Sequence, residues 1–265
     1  MEDLIKKCYD KINYDQHEEC SSSLGDDCLE CSYNMYWGGN DVDYQCENKR
    51  LIYITRYFPA HSSEIYNALY GLFLTFHDEI KDKNKLVFAS FGGGPGIDTY
   101  SFHRLLNSCS EEIECKSILA FRIEACEEWT ELAKEVMFIN SPEDFERKYY
   151  RRIADVTSDD IRISEKFDIA VLSYIVSELN DNGVDKLIEN ILKNKSKQSY
   201  ILINDRSEDD VIKKINKIMT SVTVGGYSQC QFNNEHCGFS FPDDIYSDMS
   251  PKVYRKSVYF TGKLK

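Results

Sequence analysis

Leu86-Val87-Phe88-Ala89-Ser90-Phe91-Gly92-Gly93-Gly94-Pro95-Gly96-Ile97-Asp98 runs from an apolar strand pattern into a glycine-rich turn. From Gly92 to Gly96 every residue is glycine or proline, so the backbone turns sharply and a ligand can approach it with no Cβ in the way. Residues 99–106 have the composition of a helix start, whose free N–H groups face whatever sits over the turn. The spacing separates ligand classes. A dinucleotide fingerprint G-x-G-x-x-G needs glycine or alanine at position 97, where Ile97 stands, which argues against NAD or FAD. A phosphate loop needs Gly-Lys-Ser/Thr, and Ile97-Asp98-Thr99 supplies no lysine, which argues against ATP hydrolysis.

Gly92-x-Gly94-x-Gly96 resembles the glycine turn of class I S-adenosylmethionine-dependent methyltransferases. The cofactor this resemblance implies is a sulfonium cation without phosphate, and an uncharged turn with Asp98 nearby suits it. The family usually carries an acidic residue two positions before the first glycine. Here that position is Ser90, and Asp98 is the neighbouring carboxylate that could partly substitute. The resemblance implies that Phe91, Gly92, Gly93, Gly94, Gly96 and Asp98 line the cofactor.

The following elements come in the order the resemblance requires. Residues 118–124 form a second strand pattern ending in Glu124, with a helical run over 127–138. There Glu124, with Ala125 beside it, is placed to take the ribose hydroxyls, the alternative being a solvated surface glutamate. Residues 149–156 give a third short strand ending in Ala154-Asp155-Val156, similar to the family's adenine site. Asp155 either accepts from the adenine amino group, with Val156 covering the base, or caps the turn at Thr157-Ser158. The fourth apolar strand, from Phe167, delivers Ser173 and Tyr174 to its carboxyl end, where open α/β sheets bind ligands. Ser173 joins the cofactor set. Tyr174 and Glu178 are the candidates for orienting or deprotonating an acceptor, against a plain reading as a core tyrosine and a helix start. Residues 173–179 also share a short Ser-Tyr-x-x-Ser-Glu-Leu likeness with mitochondrial ribosomal small-subunit methyltransferase-like proteins. A fifth strand over 199–205 precedes a charged helix over 208–219. The fold expected is therefore α/β, a Rossmann-like seven-stranded methyltransferase sheet with helices on both faces over residues 81–265. Residues 1–80 form an N-terminal helical and irregular extension.

The chain has 265 residues, 42% of them hydrophobic, enough for one substantial core. Its net charge of −13, from 32 basic and 45 acidic residues, repels phosphate backbones and disfavours long nucleic acid as a partner. A small-molecule or protein acceptor is expected. Basic clusters at Arg147-Lys148 with Arg151-Arg152, and along residues 252–265, are the features that would supply a groove to RNA. The Asn/Asp-Pro-Pro-Tyr/Phe and Pro-Cys motifs that serve base methylation are absent. The alternative class is an RNA- or ribosome-associated factor that binds the cofactor without turnover.

No apolar run reaches the roughly eighteen residues needed to span a membrane, and a cytoplasmic protein with reduced thiols is expected. Of ten cysteines, Cys20, Cys28, Cys31 and Cys46 share one polar segment. Cys28-x-x-Cys31 lacks a matching second pair, so no metal is expected. Residues 62–80 read as an amphipathic helix capped by Ser62 or Ser63. Methyltransferases of this class lay N-terminal helices over the cofactor, which would bring Arg56, Tyr57 and His61 to the substrate mouth. Strands at 222–224 and 253–264, with turns at Gly225-Gly226 and Pro242-Asp243-Asp244, predict a closing hairpin.

Overall fold

The computed structural model describes residues 1–19, 24–37, 43–142 and 146–265. Its N-terminal part is helical: α1 (Glu2–Asp10), α2 (Cys28–Trp37), α3 (Glu47–Thr75) and the short α4 (His77–Ile80). Then β1 (Lys85–Phe91), α5 (Ile97–Ser108), β2 (Ser117–Glu124), α6 (Thr130–Phe138), β3 (Glu146–Ile153), β4 (Phe167–Ser173), α7 (Asp181–Asn194), β5 (Lys195–Asp205) and α8 (Asp209–Val222) follow, strands alternating with helices except between β3 and β4. The C-terminal part comprises β6 (Thr223–Gln231), β7 (Glu235–His236), α9 (Asp243–Met249), β8 (Tyr254–Arg255) and β9 (Val258–Leu264).

Seven strands form one sheet in the order β3-β2-β1-β4-β5-β9-β6, and β7 pairs with β8 separately. β1 to β5 are parallel, whereas β9 runs antiparallel to both β5 and β6. The central strands read as unbroken apolar runs because both faces are covered. Leu86 and Phe88 of β1 enter a core shared with α1, α3 and α5. Val87, Ala89 and Phe91 point the other way, into a core shared with α7 and α8. The expected seven-stranded α/β sheet with helices on both faces is present.

Several local expectations are corrected. α3 starts at Glu47 rather than Ser62, because Leu51, Ile52, Ile54 and Phe58 extend its apolar stripe toward the N-terminus. Ser62 and Ser63 are accordingly buried within the helix, not caps, and Ser62 Oγ donates to the Pro59 carbonyl at 3.0 Å. Pro59 costs an interior helix about 3 kcal/mol, which the full burial of Phe58 and Ala60 beside it offsets. The Gly225-Gly226 pair is no turn: both glycines have positive φ inside β6, where the register with β9 shifts in a bulge. Pro242 precedes the first turn of α9 rather than making a hairpin turn. The third strand ends at Ile153, leaving Asp155 and Val156 in the following loop.

That loop joins β3 to β4 without a helix, and two asparagines of α7 fasten it. Asn190 Oδ1 accepts from Ile161 N at 3.0 Å while its Nδ2 donates to the carbonyls of Val156 and Asp159 at 3.1 and 3.0 Å. Asn194 accepts from Ile163 N and donates to the Ile161 carbonyl. Asn190 is 1% exposed, so its loss strands three backbone groups in the interior. Asn190→Ala is expected to lower unfolding free energy by about 2–3 kcal/mol in urea titrations. An unchanged midpoint would contradict this role.

Candidate cofactor and acceptor site

The sheet order reverses between β1 and β4, where the chain leaves toward opposite edges and opens a crevice beyond the strand ends. The glycine turn follows β1 at this point, and Tyr174 follows β4. Gly92 N and Gly93 N both donate to the Ile123 carbonyl, at 2.9 and 3.0 Å, which fixes the turn on β2. A Cβ at Gly92 would run into Ile175 Cδ1, one at Gly93 would lie 2.7 Å from Arg122 Cγ, and one at Gly96 2.7 Å from Met137 Cγ. These three glycines permit close packing. Gly94 differs: its φ is +40° and a Cβ there meets nothing nearer than 4.0 Å, so bare backbone faces open space.

Glu124 stands beside that opening. Its Oε2 accepts from Gly94 N at 2.8 Å and its Oε1 from Cys126 N at 2.9 Å, leaving lone pairs on each oxygen for further donors. Arg122, which sequence reasoning passed over, donates to the Gly94 carbonyl at 2.6 Å and to Thr130 Oγ1 at 3.3 Å. Its signal was an arginine within the apolar 118–123 run. Asp98 is buried in the first turn of α5 and accepts from Ser90 Oγ at 2.5 Å, so the carboxylate absent at position 90 reaches that position from another element. Burial pushes the Asp98 carboxyl up to about 7, with the Ser90 hydrogen bond pulling the other way.

Other predicted cofactor residues are placed differently. The Phe91 side chain is fully buried against Phe167 in the core, so only its backbone adjoins the turn. Ala125 is exposed next to Glu124, and Ser173 is half-buried at the end of β4. Asp155 makes a local turn: Oδ1 accepts from Thr157 N and Oγ1 at 2.8 and 2.7 Å, and Oδ2 from Ser158 Oγ at 3.0 Å. Burial opposes the ionisation of Asp155, but these hydrogen bonds outweigh it and hold the carboxyl below its ordinary value. Val156 is buried, and its carbonyl accepts from Asn190.

On the facing side, Tyr174 adopts φ +56°, unusual for a bulky residue, as the chain turns off β4. Its hydroxyl donates to Glu64 Oε2 at 2.5 Å and accepts from Lys252 Nζ at 2.8 Å. Glu64 Oε1 accepts from Lys252 Nζ at 2.9 Å and Lys256 N at 3.0 Å. The His61 ring stacks on Tyr174 at 4.0 Å and on Tyr57 at 5.4 Å, and its Nδ1 bonds the Tyr53 hydroxyl at 3.0 Å. Arg56 holds the 250–252 segment through Ser250 O and Lys252 N, and its guanidinium lies 5.5 Å from the Tyr57 ring centre. Burial, then the nearby Glu64, pushes the Tyr174 phenol well above its ordinary value. Burial, then the charges of Glu178 and Asp98, does the same to Tyr53. Exposed Glu178 and buried Asp98 therefore both bear on Tyr53, which links the glycine turn to the aromatic cluster.

Tyr53, Glu64 and Lys252 were missed in the sequence. Glu64 carried a partial signal, standing three residues after His61 on the same helix face. It is fully buried, and Glu64→Ala would leave Lys252 Nζ, Lys256 N and the Tyr174 hydroxyl short of their acceptor. A cost of about 3 kcal/mol in chemical denaturation is expected, with Glu64→Gln milder. Equal stability of Glu64→Ala and the native chain would contradict this.

The two basic clusters do not form one groove. β3 carries Arg147, Lys148, Arg151 and Arg152 at one edge of the sheet, and β9 lies five strands away, roughly 24 Å at the usual strand spacing. Lys252, Arg255 and Lys263 are each paired with a carboxylate, of Glu64, Glu235 and Glu79 respectively. Among the described residues, no helix is long and apolar enough to cross a membrane and no three His, Cys, Asp or Glu side chains are grouped to hold a metal. Cys28 Sγ accepts from Asn48 Nδ2 and Cys31 Sγ from Leu24 N, both at 3.3 Å, while Cys20 lies outside the described residues.

No protein-family model matches the chain, and no curated protein does. Among solved structures, an S-adenosylmethionine-dependent methyltransferase from Leishmania major aligns at 12% identity over 76% of this chain and 73% of its own, with a TM-score of 0.47. The N-methyltransferase NodS from Bradyrhizobium japonicum, in complex with S-adenosylhomocysteine, aligns at 12% over 85% and 92%, with a TM-score of 0.44. A TehB-like methyltransferase from Corynebacterium glutamicum aligns at 14% over 87% and 93%, with a TM-score of 0.41. With its five parallel strands, the antiparallel β9 inserted before the edge strand β6, and the glycine turn after β1, the chain has the class I, Rossmann-like fold of S-adenosylmethionine-dependent methyltransferases.

Proposed function

We propose that this protein binds S-adenosylmethionine and transfers its methyl group to a small-molecule or protein acceptor. The observation that carries this reading is the pairing of Gly94, bare toward open space, with the Glu124 carboxylate beside it at the reversal point of the sheet. A sulfonium cofactor fits such a donor set, because the Glu124 and Asp98 carboxylates and backbone border the crevice, and the cation at the turn, Arg122, is held on the Gly94 carbonyl rather than offered to a phosphate. In this reading Gly92, Gly93, Gly94, Gly96 and the Phe91 backbone support the cofactor. Asp98 faces its positive end, Glu124 with Ala125 takes the ribose, and Asp155, Val156 and Ser173 border the base and the exit of β4. Residues 1–80 serve as the cap over a methyltransferase body of 81–265.

When bound, the cofactor supplies an activated methyl group for in-line displacement. The chain has to hold the acceptor in line and exclude water. Arg56, Tyr57, His61, Tyr174 and Glu178 are the groups we assign to the acceptor side. Tyr174 acts there by orientation, because its hydroxyl is held by Glu64 and Lys252 and its ionisation is pushed upward. The acidic field and the separation of the basic clusters favour a small molecule or protein over long nucleic acid. Incubating the purified chain with labelled S-adenosylmethionine and fractionated cell extract tests this: label should enter small molecules or protein. Label entering structured RNA instead, with steeply salt-sensitive binding, would overturn the acceptor class.

A further inference from the structure

Of the two buried histidines, one leaves a ring nitrogen without a hydrogen bond among the described residues. His103, the other buried histidine, is satisfied at both ring nitrogens, by the Met137 carbonyl at 3.0 Å and by the Tyr149 hydroxyl at 3.1 Å. Those bonds make it structural. His61 is 6% exposed and bonds only through Nδ1, to Tyr53, while among the described residues its Nε2 makes no hydrogen bond. Although the ring is buried, Nε2 itself is not sealed from solvent, so one polar edge of the ring stays open beside the candidate site.

The ring is also held unusually firmly. Tyr174 and Tyr57 stack on it, Tyr53 fixes Nδ1, and Glu64 with Lys252 fixes Tyr174. Its location is the reversal point itself: Ile175, next to Tyr174, packs on Gly92, so the His61 stack adjoins the turn that carries Gly94. The groups bearing on the imidazole are Tyr53, Tyr57 and Glu64 from α3, Tyr174 from the end of β4, and Lys252 from the segment before β8. Burial, and then the charge of Lys252, holds His61 well below its ordinary value, so it is neutral near pH 7.

We infer that His61 is the proton acceptor of the reaction, with Nδ1–H donating to Tyr53 Oη and the Nε2 lone pair facing the acceptor nucleophile. The inference rests on the methyltransferase reading above. The acceptor's nitrogen or oxygen forms a bond to the methyl carbon, and the carbon–sulfur bond breaks with its electron pair passing to sulfur. The acceptor's proton passes to Nε2, and the imidazolium then releases it to water. Such a base serves an acceptor that carries an N–H or O–H proton, which selects amines and hydroxyls over thioethers and tertiary amines. Tyr53 is a positioning residue, since it sets which ring nitrogen keeps the lone pair.

The test needs no knowledge of the acceptor. Sinefungin places an ammonium group where the transferable methyl would stand, and S-adenosylhomocysteine places nothing there. Calorimetric titration of the native chain with each should show sinefungin bound about tenfold or more tightly, as a hydrogen bond from a charged donor to Nε2 provides. In His61→Ala the sinefungin preference should shrink about tenfold, to what the Asp98 carboxylate alone supplies, while S-adenosylhomocysteine affinity stays near native and reports an intact fold. If the preference is undiminished in His61→Ala, the inference is wrong; if neither ligand binds the native chain, the methyltransferase reading itself fails. Histidine side-chain NMR of the native protein provides the second measurement, independent of any variant's folding. The His61 resonances should move with sinefungin and hardly move with S-adenosylhomocysteine, and equal responses would overturn the assignment.

Discussion

Gly94→Val is expected to abolish measurable S-adenosylhomocysteine binding while leaving a folded protein. The two effects separate because a Cβ at Gly94 meets no protein atom nearer than 4.0 Å, so the added isopropyl group projects where the ligand must approach. The backbone at φ +40° adds strain of about 1–3 kcal/mol, which a domain of this size can survive. Gly93→Ala should behave in the opposite way. Its new methyl would press on Arg122 and Ser90, so it should lose stability first. Glu124→Ala provides the graded case: losing a hydrogen bond to a charged group should weaken binding about ten- to a hundredfold. Calorimetry on circular-dichroism-verified variants checks all three. Native affinity in both Gly94→Val and Glu124→Ala would show that the site lies elsewhere.

The second large effect concerns Asp98 and pH. Its carboxyl titrates at about 7 in the folded chain against 3.8 ordinarily, because burial disfavours the charge more than Ser90 Oγ stabilises it. The folded state therefore holds this proton more tightly than the unfolded state. The resulting stability is fully present below about pH 4, is lost as pH rises to about 7, and stays level above that. At roughly 1.4 kcal/mol for each tenfold difference in proton affinity between the two states, the loss is on the order of 4 kcal/mol. Asp98→Asn keeps the shape and the Ser90 contact but cannot ionise. It should be more stable than the native chain at pH 8, by an amount that shrinks toward pH 4, in urea titrations across that range. Parallel pH profiles for the two proteins would contradict the raised titration of Asp98. A carboxylate retained at this cost beside the glycine turn fits a site for a cationic ligand, and Asp98→Asn should accordingly weaken binding of sinefungin, which carries an ammonium, more than that of S-adenosylhomocysteine, whose sulfur is uncharged.

Much of this architecture was legible because the parallel strands are apolar throughout and the turn glycines are consecutive. The strand starts and ends at residues 85–91, 117–124 and 167–173 differ from the expected ones by a residue or so. Position alone placed Glu124, Asp98 and Tyr174 at the carboxyl end of the sheet, since each follows a strand. The less legible features depend on partners distant in the chain. Glu64 looks like a surface residue until Lys252 and Lys256, 188 and 192 residues later, come to the same carboxylate oxygen. Ser90 reads as a missing acid until Asp98 is seen to reach it from the next helix. Pro59 and the serines after it resemble a helix start and so shorten α3 in the sequence, and only burial on both sides of the proline overrides that signal. Gly225-Gly226 matches a hairpin turn by composition, yet β9 pairs on both sides of it and converts it into a bulge.

Calorimetric titration of the purified native chain, with S-adenosylhomocysteine and separately with NADH, tests the central claim most directly. The account predicts a single saturable site for S-adenosylhomocysteine at one ligand per chain and no binding of NADH. A flat S-adenosylhomocysteine titration, or saturable NADH binding at the same glycine turn, would contradict it.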